Sequence, residues 1–208
     1  MFQWLSNVQT GIKPTGFAKI CGNKGGVMIS FQLFDLTFCF LNCHLAAGPN
    51  KQLLRRENAF ELLRGLRAND KRFDLPNQFD YFFWIGDFNF RITLPFNQVV
   101  NEVVNGNCDE IIEYDQLNDD IQNNQLFVQF DEGKIEFNPS YRRNRNDNTT
   151  FSNKNNQSPS YTDRVFWANK PHCKLDQLSY TSIEHQFARY FFSYKKLVTI
   201  DLFIPNSN

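Results

Sequence analysis

No apolar run in this sequence is longer than a strand requires, so none reads as a transmembrane helix. No basic segment followed by an apolar stretch opens the chain, and a signal peptide is not expected. Neither sign of charge is in excess: Lys+Arg and Asp+Glu number 22 each. Such a chain has no global field to draw it to nucleic acid or to an anionic membrane, so any anion binding must come from a local cluster. Cysteine is sparse and odd in number, with Cys21, Cys39, Cys43, Cys108 and Cys173 and no C-x-x-C pair. That pattern suggests neither a disulfide framework nor a zinc site, and reduced thiols in a cytoplasmic setting are the simple reading. There is no internal repeat of roughly 20–50 residues. The only low-complexity segment is an Asn-rich loop over 143–156.

What the sequence does have is aromatic mass, 16% of its residues including 23 Phe, which argues for a packed interior. Its 208 residues suffice for one core and fall short of two comfortable domains. A single domain over 1–208, ending in a short tail at 205–208, is therefore expected. Val27–Leu33 and Leu36–Leu45 read as a hairpin turning at Asp35. Lys51–Ala68 reads as a helix with Leu53, Phe60 and Leu63 on one face and Ala59, Leu62 and Leu66 beside it. Phe82–Ile85 is a short buried strand ending in Gly86-Asp87-Phe88-Asn89. Pro95 is expected to open a helix through Val104, closed by Gly106. A second helical region spans Asp109–Gln125, with a break near Asn118. Val128–Phe130 and Ile135–Phe137 flank a turn at 131–133, and Arg164–Ala168, Leu175–Tyr180, Phe187–Phe192 and Val198–Ile204 read as late strands. Strands and helices mixed without strict alternation point to layered α/β or α+β architecture.

Of only three His, two stand beside polar groups at strand ends, His44 in Asn42-Cys43-His44-Leu45 and His185 after Glu184. Asp87 and Asn89 close the central strand, and Asp163 starts Asp163-Arg164-Val165-Phe166. Singly, each has a plain structural explanation. Four polar strand ends together fit convergence on one cleft, and ligands collect at such ends. The residue types suit phosphate hydrolysis, in which positioning and charge stabilisation dominate. A carboxylate can deprotonate water, a carboxamide can hold a phosphate oxygen, and an imidazole held by an Asp can meet developing charge. A hard divalent cation would complete such a site. Cys43 and His44 do not read as a nucleophile pair, because neighbours on a strand point to opposite faces.

Gly22-Asn23-Lys24-Gly25-Gly26, Asn42-Cys43-His44-Leu45-Ala46-Ala47-Gly48, Trp84-Ile85-Gly86-Asp87-Phe88-Asn89-Phe90-Arg91-Ile92 and Pro159-Ser160-Tyr161-Thr162-Asp163-Arg164-Val165-Phe166-Trp167 resemble, in order and spacing, the motifs of inositol-polyphosphate 5-phosphatases. Asp115-Gln116-Leu117 and Phe137-Asn138-Pro139-Ser140-Tyr141 fit between them. The resemblance runs from about Asn7 to about Phe192. It implies the four-layer α/β sandwich of the DNase I-like type, shared with the abasic-site endonucleases and here lacking its first strands. It implies that Asp87 activates water, Asn89 holds the scissile phosphate and His44 stabilises its charge. It implies that His185, oriented by Asp163, contacts the phosphate or protonates the leaving oxygen, and that Glu184 lies near a Mg2+ cofactor. Lys24, Arg91, Tyr141, Arg142 and Lys154 are then candidates for substrate binding, with Arg142, Arg143 and Arg145 as a local positive cluster.

The implied substrate is a phosphoinositide lipid or a soluble inositol phosphate. The implied enzyme is a monomer in the cytoplasm that does not bind nucleic acid, with peripheral attachment to membranes left open. Three departures stand against the family pattern. No acidic metal site precedes Gly22, since Ser6–Ile20 has no carboxylate. Glu184 replaces an Asp, and Gln157 stands where an Arg is usual. The alternatives are a catalytically impaired headgroup-binding fragment and, less favoured, a Mg2+-dependent nuclease of the same superfamily.

Overall fold

The strand-period alternation through the middle of the chain builds a mixed six-stranded sheet in a computed structural model that describes residues 4–15, 23–68, 72–144, 149–183 and 197–205. Its strands are β1 (Leu5–Pro14), β2 (Gly25–Leu33), β3 (Leu36–His44), β4 (Tyr81–Asp87), β5 (Asp131–Glu132) and β6 (Asp163–Asn169), in the order β1-β2-β3-β4-β6-β5. Among the described strands only β3 and β4 pair in parallel. A parallel pair needs a long crossover, supplied by α1 (Gln52–Gly65). The antiparallel pair β7 (Asp176–Ile183) and β8 (Leu197–Phe203) forms a second sheet. Three short helices, α2 (Phe96–Asn105), α3 (Cys108–Ile112) and α4 (Gln116–Gln122), fill the run between β4 and β5.

The alternation on β4 explains the layering. Phe82 and Trp84 face α1 and join Leu41, Ala59, Leu62, Phe88, Phe127 and Phe166 in one core. Tyr81 and Phe83 point the other way, where Phe38, Trp167 and Cys173 meet Ile200 and Leu202 of the second sheet. A third cluster joins Val99 of α2 and Ile111 of α3 to Tyr161, Val165 and Tyr180. Among the described residues α1 thus covers one face of the six-stranded sheet and the β7–β8 sheet the other, while α2 and α3 pack with residues of both sheets, as in an α/β sandwich of the DNase I-like type.

Several expectations need correction. The buried face of α1 is Arg55, Asn58, Ala59 and Leu62, while Leu53 is 69% and Phe60 39% exposed. Arg55 reaches the core because its guanidinium donates to the carbonyls of Ala46 (3.2 Å) and Gly48 (2.7 Å) and to Gln116 Oε1 (2.5 Å). The region 109–125 breaks at 113–115 rather than near Asn118, because Asp115 caps α4 by accepting from the backbone N–H groups of Leu117 and Asn118. Residues 128–130 and 135–137 are not strands. Asp131–Glu132, read as their turn, is the strand instead, pairing with Trp167 and Phe166 of β6. Phe127 and Phe130 pack edge-on against Trp84 rather than pairing in a hairpin. Phe187–Phe192 lies outside the described residues. Strand β1 was not anticipated; it forms the edge of the sheet among the described residues and carries exposed Leu5, Val8 and Ile12.

Gly86 is the tight point of β4. Its φ is +129°, and a Cβ there would sit 2.2 Å from the Cys43 carbonyl oxygen and 2.6 Å from Asn42 Oδ1. Gly86→Ala is expected to cost at least about 1–3 kcal/mol, because backbone rather than a flexible side chain must give way. Gly106, also at positive φ (+76°) but with nothing within 4 Å of such a Cβ, should lose only about 1 kcal/mol on the same change. Paired urea titrations check the contrast, and equal midpoint shifts would refute it.

Candidate functional site

Register alone brings the polar strand ends together. Gly25 at the start of β2 pairs with His44 at the end of β3. His44 pairs with Asp87 at the end of β4, and Asp87 pairs with Asp163 at the start of β6. Four strands therefore deliver Lys24, His44, Asp87 and Asp163 to one edge of the sheet. Alternation also separates Cys43, which is buried, from His44, which is exposed, so the two form no dyad.

His44 Nε2 lies 3.2 Å from Asp87 Oδ2 and also contacts the Lys24 ammonium. One ring nitrogen cannot accept from Lys24 and donate to Asp87 at once, so the cluster has two alternative hydrogen-bond arrangements of one imidazole. Asp87 Oδ1 accepts the Asn89 backbone N–H at 3.1 Å. Asn89 takes up φ +58°, a conformation that Asn tolerates better than most residues, and its side chain turns under the cleft. Its amide donates to the Leu45 carbonyl (3.1 Å) and its Oδ1 accepts from Arg91 Nη2 (2.8 Å). Asn89 is 4% exposed and Arg91 5%.

Arg91 is held on all sides. Its Nε donates to the Asn89 carbonyl at 3.0 Å and its Nη1 to Gln157 Oε1 at 3.3 Å. Its guanidinium lies 4.7 Å over the Tyr141 ring. Gln157 thus touches the candidate cation Arg91, and both line a cavity of about 460 Å³ together with Pro49, Asn50, Thr93 and Gln116. Asp163 Oδ2 accepts from the hydroxyls of Ser140 (3.1 Å) and Thr162 (2.8 Å), which fixes the carboxylate's direction.

Beneath this surface lies a charged pier. Arg164, 2% exposed, donates to Asp115 Oδ1 at 3.0 Å and to both oxygens of Glu132, whose Oε1 also accepts from the Tyr180 hydroxyl at 3.0 Å. Burial raises the pKa of both carboxylates against the pull of Arg164, and it raises that of the Tyr180 phenol. For Arg164 burial works against the charge, but Glu132 and then Asp115 outweigh it and raise its pKa. Sequence reading took Asp163-Arg164 as one motif. The structure divides it, with Asp163 at the cleft and Arg164 anchoring β5, β6 and α4 underneath.

The proposed cation cluster does not hold as a unit. Arg143 is buried, donating to the Pro139 carbonyl at 2.9 Å and lying 3.9 Å over the Phe151 ring. It is a tether for the loop, not a ligand site. Lys154 is exposed on a single 3-10 turn (Lys154–Asn156). Arg142 and Tyr141 are half-buried, with Tyr141 tied to Ser160 by backbone hydrogen bonds. Arg145, Glu184 and His185 lie outside the described residues. Sequence reasoning missed Gln116, which links Arg55 to the Arg91 backbone through Oε1. No local pattern marks a neutral amide as a bridge.

A hard divalent cation suits the donors of this cleft. Magnesium takes oxygen ligands, retains several waters and commonly uses one or two carboxylates plus substrate phosphate. Asp87 and Asp163 supply two carboxylates at facing register positions.

Fold and cleft together define a DNase I-like α/β sandwich whose polar strand ends meet at one edge. Residues 2–190 match the endonuclease/exonuclease/phosphatase family 2, and the chain belongs to that family. It is 32% identical over 186 residues to human phosphatidylinositol 3,4,5-trisphosphate 5-phosphatase 2, covering 85% of this chain and 15% of that protein. It is 34% identical over 168 residues to the Saccharomyces cerevisiae polyphosphatidylinositol phosphatase INP53, covering 79% of this chain and 15% of that one. Among solved structures it resembles the inositol polyphosphate 5-phosphatase domain of SPsynaptojanin in complex with inositol (1,4)-bisphosphate and calcium ion. That match has 30% identity and a TM-score of 0.78, over 96% of this chain and 56% of that one. Cimex nitrophorin, at 20% identity and TM-score 0.73, shares the fold. The chain thus spans a small part of the full-length relatives and just over half of the solved phosphatase domain.

Proposed function

We propose that this cleft hydrolyses the 5-phosphate of phosphatidylinositol 4,5-bisphosphate or of a related inositol phosphate, by in-line attack of water with Mg2+ as cofactor. The observation that carries the reading is the meeting of His44, Asp87 and Asp163 at adjacent register positions on the ends of β3, β4 and β6. The names of the relatives support it, as does the inositol bisphosphate bound in the solved neighbour.

In this reading Asp87 orients the attacking water and takes its proton. His44 and Lys24 meet the charge that builds on the equatorial phosphate oxygens. The remaining N–H of the Asn89 amide is available to a phosphate oxygen, while Arg91 fixes that amide's orientation. Tyr141, Arg142 and Lys154 are candidates for the other ring phosphates. Glu184 and His185 retain the roles implied by resemblance, near the metal and at the leaving oxygen. Mg2+ held beside Glu184, the carboxylate that the resemblance puts near the metal, would neutralise phosphate charge and help orient the reacting oxygens, leaving Asp87 to take the proton and Asp163 to orient His185.

The test is phosphate release by the gene product from lipid vesicles and from soluble inositol 1,4,5-trisphosphate. Release that requires Mg2+ and stops on chelation is expected. Release of the same rate in excess EDTA would contradict the metal role. Tight headgroup binding without release would instead favour the impaired fragment.

A further inference from the structure

The opposite end of the same strands carries a second cluster of chemistry-bearing side chains. Asp80 stands just before β4, and the turn after β6 brings Lys170, His172 and Cys173 against it. From Asp87 this cluster is roughly 20 Å away, the length of a seven-residue strand. Asp80 Oδ2 is fixed by the backbone N–H and the hydroxyl of Thr37, both at 2.7 Å. Its Oδ1 faces Lys170 Nζ at 3.0 Å and His172 Nε2 at 3.9 Å. The backbone of the turn is already docked, since Lys170 N donates to the Asp80 carbonyl (3.1 Å) and Cys173 N to the Lys170 carbonyl (2.8 Å). Asn169 Nδ2 donates to the Cys173 carbonyl, and the Tyr81 hydroxyl to that of Lys174 at 2.9 Å. Among the described residues this is the one group of three metal-ligating side chains whose ligand atoms all lie within 4.8 Å of one another.

We infer that Asp80, His172 and Cys173 form a zinc site that clamps the β6–β7 connection onto the start of β4. One thiol, one imidazole and one carboxylate are donors that zinc accepts and magnesium does not prefer. Tetrahedral zinc, with bonds of about 2.0–2.3 Å and here water as its fourth ligand, sets its ligand atoms roughly 3.5 Å apart, so ligand atoms that lie within 4.8 Å of one another close in by up to about an ångström. His172 can supply that movement, because its side chain is 73% exposed. Cys173 and Asp80 are the fixed ligands, 5% and 8% exposed. The Thr37 donors orient the carboxylate as outer partners of a metal ligand commonly do. Lys170 is the competitor for Asp80 Oδ1. Its side chain is 38% exposed, so the ammonium can return to water when a dication arrives. A thiol must lose its proton to ligate zinc, so binding weakens as the pH falls. Sequence spacing hides the site, since His172 and Cys173 adjoin while Asp80 is remote in sequence, just before β4.

Cobalt(II) titration of the chelator-treated gene product tests this independently of the cleft. One equivalent should raise a thiolate-to-cobalt charge-transfer band, and zinc should bleach it. Cys173→Ser should abolish the band, and His172→Ala should weaken binding at least tenfold. The exposed His172 can be replaced without loss of packing, so that variant decides the matter even if Cys173→Ser misfolds. Absence of the band in the wild type, its persistence in Cys173→Ser, or unchanged affinity in His172→Ala would overturn the assignment.

Discussion

Asp87→Asn is expected to lower phosphate release by about 10³-fold, within the range associated with loss of a positioned general base. The substitution keeps the strand end intact, because a carboxamide oxygen can still accept the Asn89 N–H that Asp87 Oδ1 now takes at 3.1 Å. What it removes is the negative charge facing His44 Nε2 at 3.2 Å and the capacity to accept a proton from water. Headgroup binding should change far less than turnover, since Lys24 and Arg91 remain. A fall in turnover with little change in headgroup affinity would mark Asp87 as acting in the transition state. An unchanged rate would remove Asp87 from the mechanism.

The second large effect is structural. Arg164→Met leaves Asp115 and Glu132 buried with no cation between them, and breaking a buried pair from one side costs about 3–5 kcal/mol. Asp115 loses only one of three partners, because it still caps α4 through Leu117 and Asn118. Glu132 keeps only the Tyr180 hydroxyl. Glu132→Gln should therefore be milder, and adding it to Arg164→Met should recover part of the loss. Urea unfolding of the two single variants and the double measures the coupling. A loss below about 1 kcal/mol for Arg164→Met would contradict a pier that holds β5, β6 and α4 together.

Legibility in the sequence followed the range of each signal. The β2–β3 hairpin was visible because its strands are contiguous and turn at Phe34-Asp35. The cleft was visible because His44, Asp87 and Asp163 each end or begin an apolar strand, and strand register then brings them together. The core face of α1 was misread because Arg55 and Asn58 look like surface residues. Arg55 is buried through carbonyls at Ala46 and Gly48 and through Gln116, partners that periodicity does not reveal. Asp131–Glu132 carries turn composition, yet it pairs as a strand where Glu132 meets Arg164. Strand β1 offers no clean alternation, since its burial comes from pairing with β2 along one edge. Arg143 reads as a solvated loop cation until Phe151 is seen beneath it. The zinc cluster depends on a contact between the ends of β4 and β6 that no local motif encodes.

Hydrolysis of inositol 1,4,5-trisphosphate with Mg2+ in heavy-oxygen water tests the proposed reaction through the identity of its products. Inositol 1,4-bisphosphate whose hydroxyls carry no label is expected, together with inorganic phosphate carrying one heavy oxygen. A different bisphosphate isomer, or label in the inositol ring, would contradict it.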